Sequence, residues 1–236
     1  MKQKVINFFA GPGAGKSTMG AGLFAELKLR GHTPEFAYEW IKQAEYEGRN
    51  RHDSLLPKSQ DYITAKQHYR LRTLEGKVEL IITDSPIILG LVYSDPDYLP
   101  SMEQVMLEAY DRYDNLNFFV KRTKEYIQVG RGQSKDEAIE KDEELKYMLR
   151  KYGIHYVEVP YHPITFMELI PALMNGIGWK VSPNPYGKFL SPPSGTTADP
   201  FGPATTEFGM PEFEKSLAVL QSSRQRKDSG VMHHPV

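Results

Sequence analysis

The chain has 236 residues, enough for one α/β domain of ordinary size and an additional segment. Its 29 Lys and Arg residues balance 30 Asp and Glu residues, so no global charge indicates a nucleic-acid or membrane partner, although a local basic groove stays open. The absence of cysteine excludes disulfides, zinc–thiolate sites and thiol catalysis, and the lack of a signal peptide or membrane-spanning run favours a cytoplasmic protein.

The first predicted strand, 5–9, leads directly into a loop with the composition of a phosphate-binding P-loop. Its glycines leave backbone N–H groups free to surround a polyphosphate, and the next helix directs its positive N-terminal end at the same anion. Lys16 is predicted to contact the β- and γ-phosphates of ATP, and Ser17 to coordinate Mg²⁺. Ala10 stands where the strict pattern has glycine, and alanine is small enough for the loop to close. The alternative is a chance glycine-rich turn. The predicted nucleotide-binding residues are Gly11, Pro12, Gly13, Ala14, Gly15, Lys16, Ser17 and Thr18.

Apolar runs alternate with stretches of helical periodicity along the first three quarters of the chain. This order predicts repeated βαβ units around a mainly parallel sheet. The predicted strands are 5–9, 35–38, 78–83, 116–120 and 156–159. The predicted helices between them are 17–30, 59–74, 102–112, 135–152 and 163–174. The fold class is therefore α/β, a three-layer αβα domain of the P-loop NTPase type with five strands.

Glu39 follows the second predicted strand, at the edge of the sheet that faces the P-loop. A carboxylate there can accept the proton of an attacking hydroxyl, or orient that hydroxyl, and the sequence does not decide between these roles. The alternative is a surface acid in the first turn of a helix, which the helix dipole favours.

The predicted helix 59–74 carries three polar side chains of interest, Lys66, Gln67 and Arg70. Gln67 can hydrogen-bond the edge of a base, and Lys66 and Arg70 lie on one face at i, i+4 spacing. A plain amphipathic helix explains the same residues.

Asp84 ends a buried strand, where an aspartate can hold Mg²⁺ directly or through a water molecule. The competing role is to cap the following helix. Ser85 follows in place of the acidic residue that ATPases coupled to movement usually carry there. This difference favours phosphoryl transfer over hydrolysis.

Several cations lie between the fourth strand and the helix that starts at residue 135. Such a loop is typical of a lid that closes over a triphosphate and neutralises the charge that develops during transfer. Arg131, flanked by two glycines, is the first candidate for phosphate contact, and Arg122 is the second. Either one is alternatively a solvated surface charge, which is the favoured interpretation of Lys124.

Prolines and glycines become frequent after residue 175. The prediction is a kinase-type domain at 1–175 and an irregular Pro/Gly-rich C-terminal appendage at 176–236, in which only 211–226 has a helical pattern. The appendage either wraps the core or stays partly disordered.

Taken together, residues 4–175 resemble a phage P-loop kinase of the thymidylate kinase and nucleoside kinase group. The segments 38–42, 65–67 and 82–90 resemble the phage enzymes that phosphorylate 5-hydroxymethyluracil within DNA, a step in thymidine hypermodification. The resemblance implies ATP and Mg²⁺ as cofactors, and it places Glu39 at the acceptor hydroxyl, Asp84 at the metal and Arg131 over the phosphates.

Two kinase hypotheses and one from another class follow. The favoured acceptor is 5-hydroxymethyluracil in DNA, and the alternative acceptor is a free nucleoside or nucleotide. The third hypothesis is an NTP-dependent switch or motor. No membrane partner is expected, and homo-oligomerisation is left open by the sequence.

Overall fold

Five parallel strands form the centre of the computed structural model, which describes residues 2–49, 55, 58–94, 99–122, 135–185 and 210–228. The strands lie in the order β2-β3-β1-β4-β5. All five predicted strands are present, with ends that lie within two residues of the predicted ones. Their bounds are β1 Lys4–Phe9, β2 Pro34–Ala37, β3 Leu80–Thr83, β4 Asp114–Lys121 and β5 Val157–Pro160.

The strand β1 occupies the middle of the sheet because it is apolar on both faces. Val5 and Ile6, which point to opposite faces, are both fully buried. Lys4 is in register with Leu80 of β3 on one side and with Asp114 of β4 on the other. Since every pairing is parallel, the carboxyl ends of all five strands meet at one edge of the sheet.

Helices cover both faces of this sheet and complete a three-layer α/β fold. On one face, α1 lies against Phe36 of β2, and on the other Leu71 of α3 packs against Val5 and Ile81. The helices are α1 Lys16–Leu29, α2 Trp40–Tyr46, α3 Gln60–Leu74, α4 Gly90–Tyr93, α5 Met102–Asp111, α6 Lys135–Lys151, α7 Ile170–Gly176 and α8 Met210–Asp228.

The structure adds elements that the sequence pattern did not predict. The helix α2 has seven residues, and α4 has four after a 3₁₀ turn at Ile87–Leu89. Neither is long enough to show an apolar periodicity. The predicted helix 163–174 is divided into a π-helical turn, Thr165–Leu169, and α7.

Part of the predicted C-terminal appendage contributes to the core. Trp179, Val181 and Leu220 are buried in the same apolar cluster as the sheet. The helix predicted at 211–226 is present as α8, and Leu217 of α8 packs so closely on Gly176 that a Cβ there would overlap it. A boundary between 175 and 176 stays a prediction, and residues 186–209 and 229–236 lie outside the described residues.

Within the described part of the chain, no helix has both the length and the apolar character needed to cross a membrane.

Candidate active site

The loop between β1 and α1 has the conformation that its glycines permit. Gly13 and Gly15 adopt left-handed backbone angles, φ 78° and φ 103°, which other residues rarely reach. Gly15 is also the N-cap residue of α1, and a Cβ on it would overlap the ring of Tyr161. Ala10, which replaces the usual glycine, is buried with 2% of its surface exposed. The loop therefore presents the N-terminal end of α1 at the carboxyl edge of the sheet.

Lys16 is the first residue of α1, and its side chain folds back over the loop. Its Nζ donates hydrogen bonds to the carbonyl oxygens of Ala10 at 2.7 Å and Gly11 at 3.2 Å. Burial lowers the pKa of Lys16, while the negative charges of Glu39 and Asp84 act in the opposite direction. The ammonium group thus lies close to both carboxylates that the sequence predicted as functional.

Ser17 and Asp84 are in direct contact across the edge of the sheet. The Ser17 hydroxyl donates a hydrogen bond to Oδ2 of Asp84, so Asp84 does not serve as a helix cap. Asp84 is 4% exposed, and its Oδ1 has no hydrogen-bond partner among the described residues. A buried carboxylate oxygen beside a hydroxyl suits a hard divalent cation that takes its other ligands from phosphate and water.

Glu39 lies at the N-cap position of α2, but its side chain makes no capping hydrogen bond. Burial raises the pKa of Glu39, the positive charge of Lys16 opposes this rise, and the negative charge of Asp84 adds to it. The carboxyl group is thus oriented towards the two other polar groups of the site. A raised pKa is typical of carboxylates that exchange protons during a reaction.

The backbone on both sides of Glu39 is held by α3, in an arrangement that the sequence did not indicate. Gln67 accepts a hydrogen bond from the backbone N–H of Trp40 at 3.0 Å, and its amide N lies 3.4 Å from the Thr83 hydroxyl. Arg70 donates to the backbone oxygen of Tyr38 at 2.8 Å. Gln67 is only 3% exposed, so its amide is not available to a base edge, contrary to the sequence hypothesis.

Arg122 and Asp142 hold the outer side of the P-loop together. The Arg122 guanidinium donates to Oδ2 of Asp142 at 3.0 Å and to the Pro12 carbonyl at 2.7 Å. The other carboxylate oxygen of Asp142 accepts the backbone N–H of Gly11. Sequence reasoning missed Asp142 because it is one of many charged residues on α6 and nothing in the sequence distinguishes it from the others. The predicted contact of Arg122 with phosphate stays a prediction.

Tyr93 completes the side of the site that is formed by α4 and α6. Burial raises the pKa of Tyr93 to about 12, and the charge of Glu39 adds to this rise, so the hydroxyl is protonated at neutral pH. The ammonium group of Lys141 lies 5.1 Å from the centre of its ring. A protonated phenol beside Glu39 is a hydrogen-bond donor that the sequence gave no reason to select.

The remaining predicted residues divide into two groups. Thr18 lies in the first turn of α1 with an exposed side chain. Arg131, Lys124 and the rest of the predicted lid at 123–134 lie outside the described residues. No group of three or more His, Asp or Glu side chains suited to a metal occurs in the described ranges. Ser17 and Asp84 stay the predicted metal ligands, and their side chains are in contact.

Comparison with known proteins supports this architecture. A family model described as an AAA domain matches residues 5–165. The crystal structure of a NadR protein in complex with NR is similar, with a TM-score of 0.58 and 20% sequence identity over 77% of this chain. A second NadR structure, in complex with NAD and AMP-PNP, has a TM-score of 0.55 and 16% identity over 77% of this chain.

The NadR chains are longer than the region that this chain resembles. The match covers 53% of one and 51% of the other, so this chain spans about half of their length. At these identities the likeness concerns the fold alone. Comparison with curated proteins found no match.

Proposed function

The chain belongs to the AAA domain family, and we propose that it is a kinase that transfers the γ-phosphoryl group of ATP to a hydroxyl of a nucleoside-type acceptor. The observation that carries this proposal is the meeting of Lys16, Asp84 and Glu39 at one edge of the sheet. Lys16 and Asp84 suit the binding of a triphosphate, and Glu39 is close to them without being used as a cap. Phosphoryl transfer needs little more than positioning and neutralisation of charge.

ATP would lie over the loop, with its phosphates against the backbone N–H groups of Gly13 to Ser17 and the N-terminal end of α1. The carbonyl oxygens of Ala10 and Gly11 hold the Lys16 ammonium group less strongly than phosphate oxygens would, because a carbonyl carries no net charge. Lys16 would exchange them for the β- and γ-phosphate oxygens. Arg122 and Asp142 keep the loop in place while this exchange happens.

Ser17 and Asp84 would hold Mg²⁺, since the partnerless Oδ1 of Asp84 and the adjacent hydroxyl suit that ion. Bound there, Mg²⁺ would neutralise charge on the phosphates.

Glu39 would take the proton of the acceptor hydroxyl. The acceptor oxygen forms a bond to the γ-phosphorus, the bond from that phosphorus to the β–γ bridging oxygen breaks, and ADP leaves with the bridging oxygen. Because burial raises the pKa of Glu39, its carboxylate is a stronger base than an exposed glutamate. Gln67 and Arg70 hold the backbone that carries this group, so they position the base without touching the acceptor.

For the acceptor we favour 5-hydroxymethyluracil within phage DNA, on the resemblance of the segments around Glu39, Gln67 and Asp84. The reacting group of this base is a primary alcohol, which matches a single carboxylate acting as base. A free nucleoside or nucleotide is the second candidate, and the NadR structures with NR, NAD and AMP-PNP favour it because they hold small molecules. A switch or motor ATPase is less consistent with Ser85, which stands where such proteins usually carry an acid.

The test is a transfer assay with γ-labelled ATP and Mg²⁺ on two acceptors in parallel. One is a set of free pyrimidine nucleosides and their monophosphates, and the other is DNA containing hydroxymethyluracil, with thymine DNA as its control. Label in the modified DNA alone supports the favoured acceptor, and label in the small molecules alone supports the second candidate. Release of inorganic phosphate without transfer to either acceptor contradicts the kinase proposal.

A further inference from the structure

Exposed tyrosines are concentrated beside Glu39. In the described part of the chain, the exposed tyrosines are Tyr38, Tyr46, Tyr62, Tyr69, Tyr93 and Tyr147. Four of the six lie on α2, on α3 or in the turn before α2, and Tyr38 and Tyr69 are 62% and 67% exposed. We refer to Trp40, Tyr62, Lys66 and Tyr69 as the aromatic face. Tyr62, Lys66 and Tyr69 recur at i, i+4 and i+7 on α3, opposite the buried Thr64 and Leu71, so they form one outward-facing stripe.

Contacts within the aromatic face hold its rings in place. The Trp40 and Tyr62 rings meet edge to face, with centroids 5.2 Å apart and an interplanar angle of 88°. The Lys66 ammonium lies 5.2 Å from the centre of the Tyr62 ring. Tyr38 packs on Phe36 at 4.5 Å, on the α1 side of the sheet, and is not part of this face. A base that stacks on the Tyr62 ring therefore meets a side chain that is already held in place.

The charge around the aromatic face differs from that of the whole chain. The described residues between 40 and 74 include more cations than acids, whereas the chain as a whole is balanced. The cations are Lys42, Arg49, Lys58, Lys66, Arg70 and Arg72, and the acids are Glu45, Glu47 and Asp61. A local excess of positive charge with interleaved aromatic rings is the pattern that binds the backbone and bases of an unpaired nucleic-acid strand.

The aromatic face is long enough to contact more than one base. Tyr62 and Tyr69 are seven residues apart on α3, which corresponds to about 10 Å along the helix. This is the length of roughly three stacked nucleotides at 3.4 Å each. The face continues from Tyr62 to Trp40, the residue directly after Glu39.

We propose that the aromatic face binds an unpaired stretch of a nucleic-acid strand and delivers one of its nucleotides to Glu39. The inference rests on the proposed kinase function and names the acceptor as a residue within a polymer. One base stacks on the ring of Tyr62 and another, about three nucleotides along the strand, on the ring of Tyr69, while Lys66 contacts a phosphate between them. A protein partner is disfavoured because Lys66 lies between the two rings and lysine is depleted from protein interfaces.

Binding of short labelled oligonucleotides, measured by fluorescence anisotropy without ATP, tests this proposal. A single strand of about twelve nucleotides is compared with the matching duplex at two salt concentrations. The single strand is expected to bind more tightly than the duplex. Tyr62→Ala and Tyr69→Ala should each weaken binding about fivefold to a hundredfold. Lys66→Gln should weaken binding and reduce the slope of log affinity against log salt by about 0.7.

Tyr147→Ala is the matched control, because Tyr147 is as exposed as Tyr69 but lies on α6, away from the aromatic face. It should bind as the unmodified chain does. Circular dichroism of every variant shows whether a loss of binding reflects unfolding, and Lys66→Gln, an exchange of one polar side chain for another, keeps the test valid if a tyrosine variant does not fold.

Two outcomes overturn the inference: no measurable binding of the single strand, or equal effects of Tyr62→Ala and Tyr147→Ala. Either one leaves the kinase proposal standing if label still passes from ATP to free nucleosides. Failure of all transfer, with strand binding intact, rejects the kinase proposal and the delivery of a nucleotide to Glu39, and retains only the binding of a strand to the aromatic face.

Discussion

The two sides of the candidate site are built in different ways. The phosphate side, residues 10–17 with Asp84, takes its loop, lysine and hydroxyl from one continuous segment. The acceptor side, residues 38–40 with Gln67 and Arg70, depends on hydrogen bonds between groups 27 and 32 residues apart. A continuous segment leaves a recognisable motif, whereas an assembled one does not. Function on the acceptor side should therefore be sensitive to substitutions at a distance, and function on the phosphate side mainly to its own residues.

Lys16→Ala should have the largest effect of any single substitution. The substitution removes the ammonium group that donates to the carbonyl oxygens of Ala10 and Gly11. The proposed contact to the β- and γ-phosphates is lost with it. We expect phosphoryl transfer to fall at least about a thousandfold, measured with γ-labelled ATP. Lys28→Ala, on the exposed face of the same helix, is the control and should retain full activity. Activity that survives in Lys16→Ala would mean that the loop does not bind the phosphates.

Glu39→Gln should be next in size and should separate chemistry from ATP binding. The amide keeps the shape of the side chain but cannot accept the acceptor proton, so kcat should fall roughly a hundredfold or more while ATP affinity is retained. Glu35→Gln is the matched control, because Glu35 lies four residues earlier on β2 with its side chain 44% exposed and paired with Lys28.

The pH dependence of the unmodified chain provides a second test of Glu39. Burial raises its pKa, and a base is active only when deprotonated, so kcat/KM should decline as pH falls through a value above the ordinary glutamate range. Glu39→Gln should abolish this acidic decline. An identical decline in the variant would assign the titration to another group.

The difference between the two sides also explains what could be predicted from sequence. The five strands and the P-loop were predictable, because buried parallel strands are continuous apolar runs and the loop residues are adjacent in the chain. The fold class was confirmed by the all-parallel sheet. For Gln67 the sequence offered a contact to a base edge or a plain amphipathic helix, and neither describes what it does. A sequence does not show that a polar side chain on one helix is turned towards the backbone of another element.

Asp142 and Tyr93 illustrate a second limit. Each lies in a segment that reads as a polar surface helix or as a short turn, and each reaches the site only through the packing of α6 and α4. Periodicity identifies the buried face of a helix as a whole. It does not identify the single polar residue on that face that contacts a loop 131 residues away.

Gln67→Leu should give an intermediate effect. It tests directly whether the acceptor side depends on a residue that is distant in the sequence. The leucine leaves the Trp40 N–H without its side-chain partner, which costs about 1–3 kcal/mol of stability where that group is buried. Loss of position at Glu39 should lower kcat about tenfold and leave the KM for ATP unchanged. If Gln67 only stabilises the fold, the substitution should lower the melting temperature but leave the kcat of the folded protein unchanged. Gln104→Leu, which removes an exposed glutamine from α5, serves as the control.

Arg122 and Asp142 give the smallest expected effect, and they test whether a predicted phosphate contact exists. One possibility is that Arg122 acts only by holding Pro12 and Asp142. Arg122→Ala and Asp142→Asn then loosen the same loop, and each should raise the KM for ATP roughly threefold to tenfold. The double variant should have the same KM as either single variant, because Arg122, Asp142 and the loop form one hydrogen-bonded unit.

If Arg122 also contacts phosphate during transfer, its removal has an additional cost that Asp142→Asn does not share. Arg122→Ala should then lower kcat as well as raise KM, since a contact made only in the transition state appears in kcat. Steady-state kinetics of the two single variants and the double variant separate these cases. In the second case Arg122, 110 positions from the loop carbonyl that it holds, would take part in the transfer step as well as in the shape of the loop, and the contrast with the acceptor side would be one of degree.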